Sequence, residues 1–223
     1  MISFIIPAHN EQELIGGTLS ALHQATSALD EPYELIVVDD ASTDRTGAIA
    51  QEHGAILIAV NNRQIAATRN AGARTANGDK FFFVDADTMV TEQALRAAIR
   101  ALRRGAVGGG CATRFDGQMP VYAMVLERLL PPILHVFALA PGCFLFCTRK
   151  AYLAAGGFNE AMYWGEEVAF CRRLKGQGRF VMLREFVITS GRKLRSHTAL
   201  GLLRVAARLA LKRHGALEYW YGR

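Results

Sequence analysis

Four short apolar runs, SFIIPA, YELIVVDD, AILIAV and KFFFVDAD, recur through the first 87 residues, and each gap between them carries a helical pattern. This alternation is the strongest constraint on the fold. Apolar runs of this length, bounded by polar residues, read as buried strands. Strands separated by helices build a mostly parallel sheet covered by helices. Asn10, with Glu13 three residues on, predicts a capping box for the first helix, in which Leu14, Leu19 and Leu22 keep one face apolar. Ser42 or Thr43 is the expected cap of the next helix, which Gly54 ends. A third helix is predicted near residues 64–76. A fourth is expected to run from a Thr91 cap through Leu102 and to close at Gly105.

In open α/β sheets ligands bind at the carboxyl ends of the strands. His9-Asn10-Glu11, Asp39-Asp40 and the pair Asp85 and Asp87 all fall at such ends. Alternate residues of an extended chain point the same way, so Asp85 and Asp87 can reach one hard cation, Mg²⁺ or Mn²⁺, that keeps substrate phosphates in its shell. The plainer reading of this D-x-D is a solvated turn ahead of a helix. Asp39-Asp40 either belongs to a turn or accepts the N–H and O–H donors of a nucleobase or ribose. Arg69, sixteen residues before Asp85 on the preceding helix, faces a diphosphate, holds a carboxylate bidentately, or is a surface arginine.

The second half loses the regular alternation. GCFLFCTRKAYLAAGGF reads as a strand, a short helix and a Gly-Gly turn, and WGEEVAFCRRLKGQG as a helix with an acidic start. RFVMLREFVITS is one or two strands, and residues 194–213 read as helix. At 223 residues and 51% hydrophobic, the chain can bury one core without a second domain. No run reaches the roughly 18 apolar residues of a membrane span. The start, MISFIIPAHNEQE, lacks the basic opening of a secretory signal. Cys111, Cys143, Cys147 and Cys171 have no zinc spacing and read as reduced thiols of a cytoplasmic protein.

Taken in order, FIIPAHNE, ELIVVDDASTDRT, TRNAGA…GDKFFFVDAD and GGFNE…WGEEVAFCRRLKGQGR resemble the successive motifs of the family 2 glycosyltransferases, over roughly residues 2 to 190. The resemblance implies a GT-A fold, a nucleotide-sugar donor and a divalent metal. It implies a nucleotide-sugar-binding half over residues 1–105 and an acceptor half over 106–191. Pro7, Ala8 and Glu11 would border the nucleotide. Asp40, with Asp39 as the alternative, would contact the base, and Arg69 would lie near the nucleotide or diphosphate. Asp85 and Asp87 would hold the metal on the donor diphosphate. In WGEEV the family usually carries Glu-Asp, the Asp acting as general base. Glu167 stands in that position here, one methylene longer, so Glu166 remains a second candidate. The implied reaction is inverting transfer of a sugar to a saccharide or lipid-linked acceptor.

The net charge of +6 is unevenly placed: residues 192–223 hold eight Lys or Arg and one acid. Arg204, Arg208 and Lys212 make a basic stripe that either lies on an anionic membrane surface or is a solvated edge of a packed helix. Residues 119–146 are unusually apolar and suit an acceptor-side flap that meets lipid, so a peripheral position on the cytoplasmic face of a membrane is a further expectation. Trp164 either stacks on an acceptor sugar or anchors a loop. Two other functions compete. A nucleotidyltransferase would carry a basic phosphate loop after the first strand, which PAHNEQELIGG lacks. A catalytically degenerate scaffold is left open by the glutamate at the base position. Nucleic-acid binding is disfavoured, because the basic excess is confined to the tail.

Overall fold

The computed structural model describes residues 1–195, except residue 28, residues 121, 123, 125 and 126, and residues 130–139. The elements run β1 (Ile2–Ala8), α1 (Ile15–Ser27), β2 (Tyr33–Asp40), α2 (Thr46–Glu52), β3 (Ile56–Val60), α3 (Ile65–Thr75), β4 (Lys80–Val84), β5 (Thr88–Met89) and α4 (Glu92–Arg103). They continue through β6 (Gly108–Phe115), β7 (Phe144–Thr148), α5 (Arg149–Ala154), α6 (Glu166–Lys175), β8 (Phe180–Thr189) and a last turn, α7 (Arg192–Arg195). One eight-stranded sheet takes the order β3-β2-β1-β4-β7-β6-β8-β5.

The predicted parallel half is present. β1 pairs in parallel with β2 and β4, and β2 with β3. The sheet as a whole is mixed, because β7 runs antiparallel to both β4 and β6, and β5 runs antiparallel to β8. β1 is buried along its whole length, which explains its unbroken apolar run. Period-two alternation divides β4 between two cores. Phe82 and Val84 face α1 and α4, through Leu19, Leu22, Leu95 and Ile99. Phe81 and Phe83 face the other layer, with Ala66 and Ala73 of α3, Tyr152 of α5 and Phe170 of α6.

Two close approaches fix where the site residues sit. A Cβ on Gly72 would lie 2.5 Å from Ile5 Cγ2 and 2.8 Å from Val38 Cγ2, so glycine lets α3 settle directly on β1 and β2. In β6, a Cβ on Gly109 would lie 2.2 Å from the Val181 carbonyl oxygen. That strand has no counterpart in the sequence reading, because Gly-Gly-Gly has the local signature of a loop. Its glycines answer instead to crowding from β7 and β8.

The Thr91 cap occurs as predicted, accepting from the Ala94 N–H at 3.2 Å. The first two caps do not. Asn10 takes a left-handed backbone (φ 53°), and its Oδ1 accepts from the Thr43 N–H at 2.8 Å. Ser42 Oγ accepts from the Asn10 N–H at 2.9 Å, and α2 starts only at Thr46, whose N–H donates to Asp44. These polar side chains join the loops after β1 and β2 to each other, in place of closing their own helices. The basic stripe, and the helix expected beyond residue 195, lie outside the described residues. So does half of the apolar segment 119–146. Among the described residues no helix is long and apolar enough to cross a membrane.

Candidate functional site

The carboxyl ends of β1, β2 and β4 open onto one cleft. It is lined by Pro7, Ala8, His9, Glu11, Asp40, Ile65, Thr68, Asp85, Ala86, Asp87 and Arg192. Six of the sequence candidates, Pro7, Ala8, Glu11, Asp40, Asp85 and Asp87, therefore meet at one place. Asp39 does not line the cleft; its Oδ1 accepts the Ser42 N–H at 3.0 Å and shapes the turn after β2.

Asp40 is 1% exposed and heavily used by the protein itself. Its Oδ1 accepts from the Asn62 and Arg63 N–H groups at 2.7 and 3.0 Å, and its Oδ2 accepts from Thr68 Oγ1 at 2.9 Å. The loop entering α3, including the left-handed Arg63 (φ 46°), is built around this carboxylate. The His9 ring nitrogen Nδ1 lies 2.6 Å from the Asp40 carbonyl oxygen, which sets the imidazole against the same wall.

Asp85 and Asp87 share the cleft for a reason other than strand pleating. β4 stops at Val84, and the chain turns, with the Thr88 N–H donating to the Asp85 carbonyl at 3.0 Å. The turn delivers both carboxylates to the strand end. Among the described residues no three His, Cys, Asp or Glu side chains gather closely enough to hold a metal by themselves. Two carboxylates in one cleft still fit a hard cation such as Mg²⁺, which is commonly held by one or two carboxylates plus substrate phosphates.

Arg69 is buried beneath Asp85, its side chain 3% exposed. Its Nη2 donates to Asp85 Oδ1 at 2.9 Å and to the Gly142 carbonyl at 3.2 Å, and its Nη1 donates to Glu166 Oε1 at 3.0 Å. Burial alone would favour loss of its proton, but Asp85, Glu166 and Glu167 outweigh it and hold the guanidinium charged. Glu166 and Glu167 open α6 after the left-handed Gly165 (φ 72°). Burial first, and then the neighbouring Glu166 charge, push the Glu167 carboxyl up to about 7. A carboxylate poised near neutral pH is suited to taking a proton. Trp164, two residues before Glu166, is 54% exposed. The loop carrying it is tied to α3 by Gln64 Nε2, which donates to the Met162 carbonyl at 2.7 Å.

Thr68, Ile65 and Arg192 are site residues that the sequence reading missed. Thr68 was findable as the neighbour of Arg69 on a helix already aimed at the site. Arg192 was counted with the basic tail, whereas its Nη2 donates to Glu11 Oε1 and sits 3.5 Å from Asp87 Oδ2. The turn that carries it is held by Asp116, whose Oδ1 accepts from the Gly191 N–H at 2.8 Å and from Arg195 Nη1 at 3.0 Å. Cys111, Cys147 and Cys171 are buried and Cys143 half-buried, all four as free thiols.

Comparison with known proteins places this geometry. The profile of glycosyl transferase family 2 matches residues 3–172. The undecaprenyl-phosphate 4-deoxy-4-formamido-L-arabinose transferase of Serratia proteamaculans is 33% identical over 125 residues, covering 52% of this chain and 38% of the relative. The dolichol-phosphate mannosyltransferase of Pyrococcus furiosus is 31% identical over 109 residues, covering 47% of this chain and 30% of the relative. The chain thus spans about a third of the length of these curated relatives. The mannosyltransferase PcManGT of Pyrobaculum calidifontis, solved with GDP-Man and Mn²⁺, superposes with a TM-score of 0.69 at 19% identity, over 97% of this chain and 71% of that one. TarS 1-349 of S. aureus, solved with UDP-GlcNAc, gives 0.65 at 20% identity, over 96% and 67%. The fold is the expected GT-A type, with a mixed sheet. The chain belongs to glycosyl transferase family 2.

Proposed function

We propose that this chain is an inverting glycosyltransferase that moves a sugar from a nucleoside-diphosphate donor to an acceptor. One observation carries the reading: Arg69 joins Asp85, in the cleft at the strand ends, to Glu166, at the head of the helix that bears Glu167. Donor-side and acceptor-side carboxylates are thereby parts of one site. Pro7, Ala8 and Glu11, with His9 between them, border the nucleotide, and Asp40 holds the wall against which the base lies. Asp85 and Asp87 are the residues that would hold a Mg²⁺ or Mn²⁺ ion together with the donor diphosphate. Such an ion, when bound, supplies positive charge to the leaving phosphate oxygens.

With a hydroxyl acceptor, Glu167 takes the hydroxyl proton as the oxygen attacks the anomeric carbon and the bond to the diphosphate breaks; an ionised phosphate acceptor attacks without giving up a proton. Attack from the face opposite the leaving group inverts that carbon. Glu166, held by Arg69, is the second candidate for this step. Relatives named for undecaprenyl phosphate and dolichol phosphate support a polyprenyl-phosphate acceptor, which would bring the protein to a membrane surface. Exposed Tyr163 and Trp164 beside α6 favour a saccharide acceptor, whose ring face can stack on an indole. Nucleoside-diphosphate release from a panel of nucleotide sugars with Mn²⁺, offered polyprenyl phosphate or oligosaccharides, tests the reading. Transfer dependent on one acceptor class supports it. Pyrophosphate release from a nucleoside triphosphate and a sugar phosphate would indicate a nucleotidyltransferase, and inertness towards every donor a binding scaffold.

A further inference from the structure

We infer that Arg69 is a positioning residue: its single buried guanidinium fixes the spacing between Asp85 and the base-bearing helix α6, and it is not itself a ligand of the donor. The inference rests on the proposed glycosyl transfer and departs from the role of nucleotide or diphosphate contact that family resemblance implies.

Arg69 is absent from the cleft lining and almost wholly buried, so a bound diphosphate meets Asp85 before it meets the guanidinium. Both terminal nitrogens already donate, Nη1 to Glu166 and Nη2 to Asp85 and the Gly142 carbonyl. The remaining nitrogen, Nε, is buried with no partner among the described residues. A planar fork that engages two carboxylates on different elements is a spacer between them. The helix carrying it is equally well anchored. Thr68, just before, donates to Asp40 at 2.9 Å; Asn70, just after, donates to the Phe158 carbonyl at 2.9 Å and accepts from Tyr152 Oη at 2.7 Å. Three consecutive residues of α3 thus hold the wall of the nucleotide cleft, the donor-side carboxylate with the base helix, and the loop leading towards α6. Gly72 presses the same helix onto β1 and β2.

The charge pattern agrees. Among the described residues, Arg69 is the cation that stands between Asp85, Glu166 and Glu167, and it opposes the burial and the Glu166 charge that raise Glu167. The thiols of Cys171, beside Glu167, and Cys143, beside Asp85, are both pushed up to about 12 with burial as the largest cause, so they stay neutral; Asp87, His9, Glu11 and Arg192 share the cleft with Asp85.

Arg69→Lys keeps the charge and loses the fork, and Arg69→Gln keeps neither. Isothermal titration with UDP and with GDP, each with Mn²⁺, reads donor-site affinity. Hydrolysis of the matching nucleotide sugar reads kcat and KM. The expected result for Arg69→Lys is a nucleotide Kd within about threefold of wild type and a kcat lower by about a hundredfold. A Kd that rises in step with the loss of turnover makes Arg69 a donor ligand and overturns the inference, as does a kcat within threefold of wild type. A second arm needs no donor. ¹³C-carboxyl titration of Glu167, assigned with Glu167→Gln, is expected to move up by a unit or more in Arg69→Gln. If no nucleotide binds the wild type, the proposed transfer falls while this arm still decides: a raised midpoint supports the clamp, and an unmoved one overturns it.

Discussion

Glu11 and Arg192, 181 residues apart in sequence, form an ion pair in the lining of the cleft at the strand ends. Arg192 also lies 3.5 Å from Asp87, so one guanidinium spans the residues expected to border the nucleotide and to hold the metal. It is a fixed positive charge in the place where a dication and a diphosphate are expected to bind.

Arg192→Ala should therefore change two affinities in opposite directions. Removing the cation makes the cleft more acidic beside Glu11 and Asp87, so Mn²⁺ alone should bind about three- to tenfold more tightly, a change of roughly 0.7–1.4 kcal/mol. A nucleoside diphosphate without metal should bind more weakly, because the cleft becomes more acidic. Titration calorimetry with each ligand separately checks both signs.

Glu167 gives a signed prediction in pH. Its folded carboxyl sits near 7, above the ordinary 4.5, with burial as the largest cause. Only the ionised form accepts a proton, so turnover should fall about tenfold per unit as pH drops below about 7. Glu167→Gln should lower kcat by about 10²–10⁴-fold at pH 8.

The same shift makes a claim on stability. Between pH 4.5 and about 7 the folded protein binds a proton at Glu167 that the unfolded chain has released. Stability contributed by this group is then fully present below 4.5 and is lost as pH rises through about 7. Glu167→Gln should flatten that slope and be more stable than wild type at pH 8, on the order of 1–3 kcal/mol. Urea unfolding at pH 5 and pH 8 measures it.

Asp85 and Asp87 should behave differently when each is replaced by alanine. Both changes are expected to remove the metal-dependent part of nucleotide binding. Only Asp85→Ala takes a carboxylate from the buried Arg69, and its cost to stability should be roughly 3 kcal/mol. Asp87 faces Arg192, a cation more exposed than Arg69, and the buried hydroxyl of Thr189, so Asp87→Ala should cost less, about 1 kcal/mol. Chemical denaturation separates the two.

Gly72→Ala tests how α3 is mounted. Helix propensity alone favours alanine by about 1 kcal/mol. The new Cβ would lie 2.5 Å from Ile5 Cγ2, so α3 must lift from the sheet and the net change should be a loss of about 1–3 kcal/mol. Because α3 also carries Thr68 and Arg69, turnover should fall with stability.

Much of this arrangement was legible in the sequence, for physical reasons. β1, β2 and β4 announce themselves because central strands are apolar on both faces, and the polar residues at their carboxyl ends mark where the apolar run stops. The carboxylates at these ends are local features, so the sequence alone brings Asp40, Asp85 and Asp87 towards one cleft. What the neighbours decide was not legible. Gly109 is glycine because Val181 and Phe146 crowd it, a reason that local sequence does not carry. Asn10 and Ser42 have the chemistry of helix caps, yet their partners lie in each other's loops. Arg192 looked like tail charge because its partner, Glu11, lies at the other end of the chain. Asp85 and Asp87 line one cleft, although a turn and not an extended strand brings them together.

The first measurement to make is thermal unfolding with UDP, GDP, CDP and dTDP, each with and without Mn²⁺. A ligand that binds only the folded state at a hundred times its Kd adds about 2.7 kcal/mol. For a chain of this size that is a rise of roughly 5–11 °C in Tm. One nucleotide that produces such a rise, larger with Mn²⁺ than without, is the expected result, and Asp87→Ala should abolish the Mn²⁺ increment. No rise with any of the four at millimolar concentration, in either condition, contradicts a nucleotide-sugar donor site in this cleft.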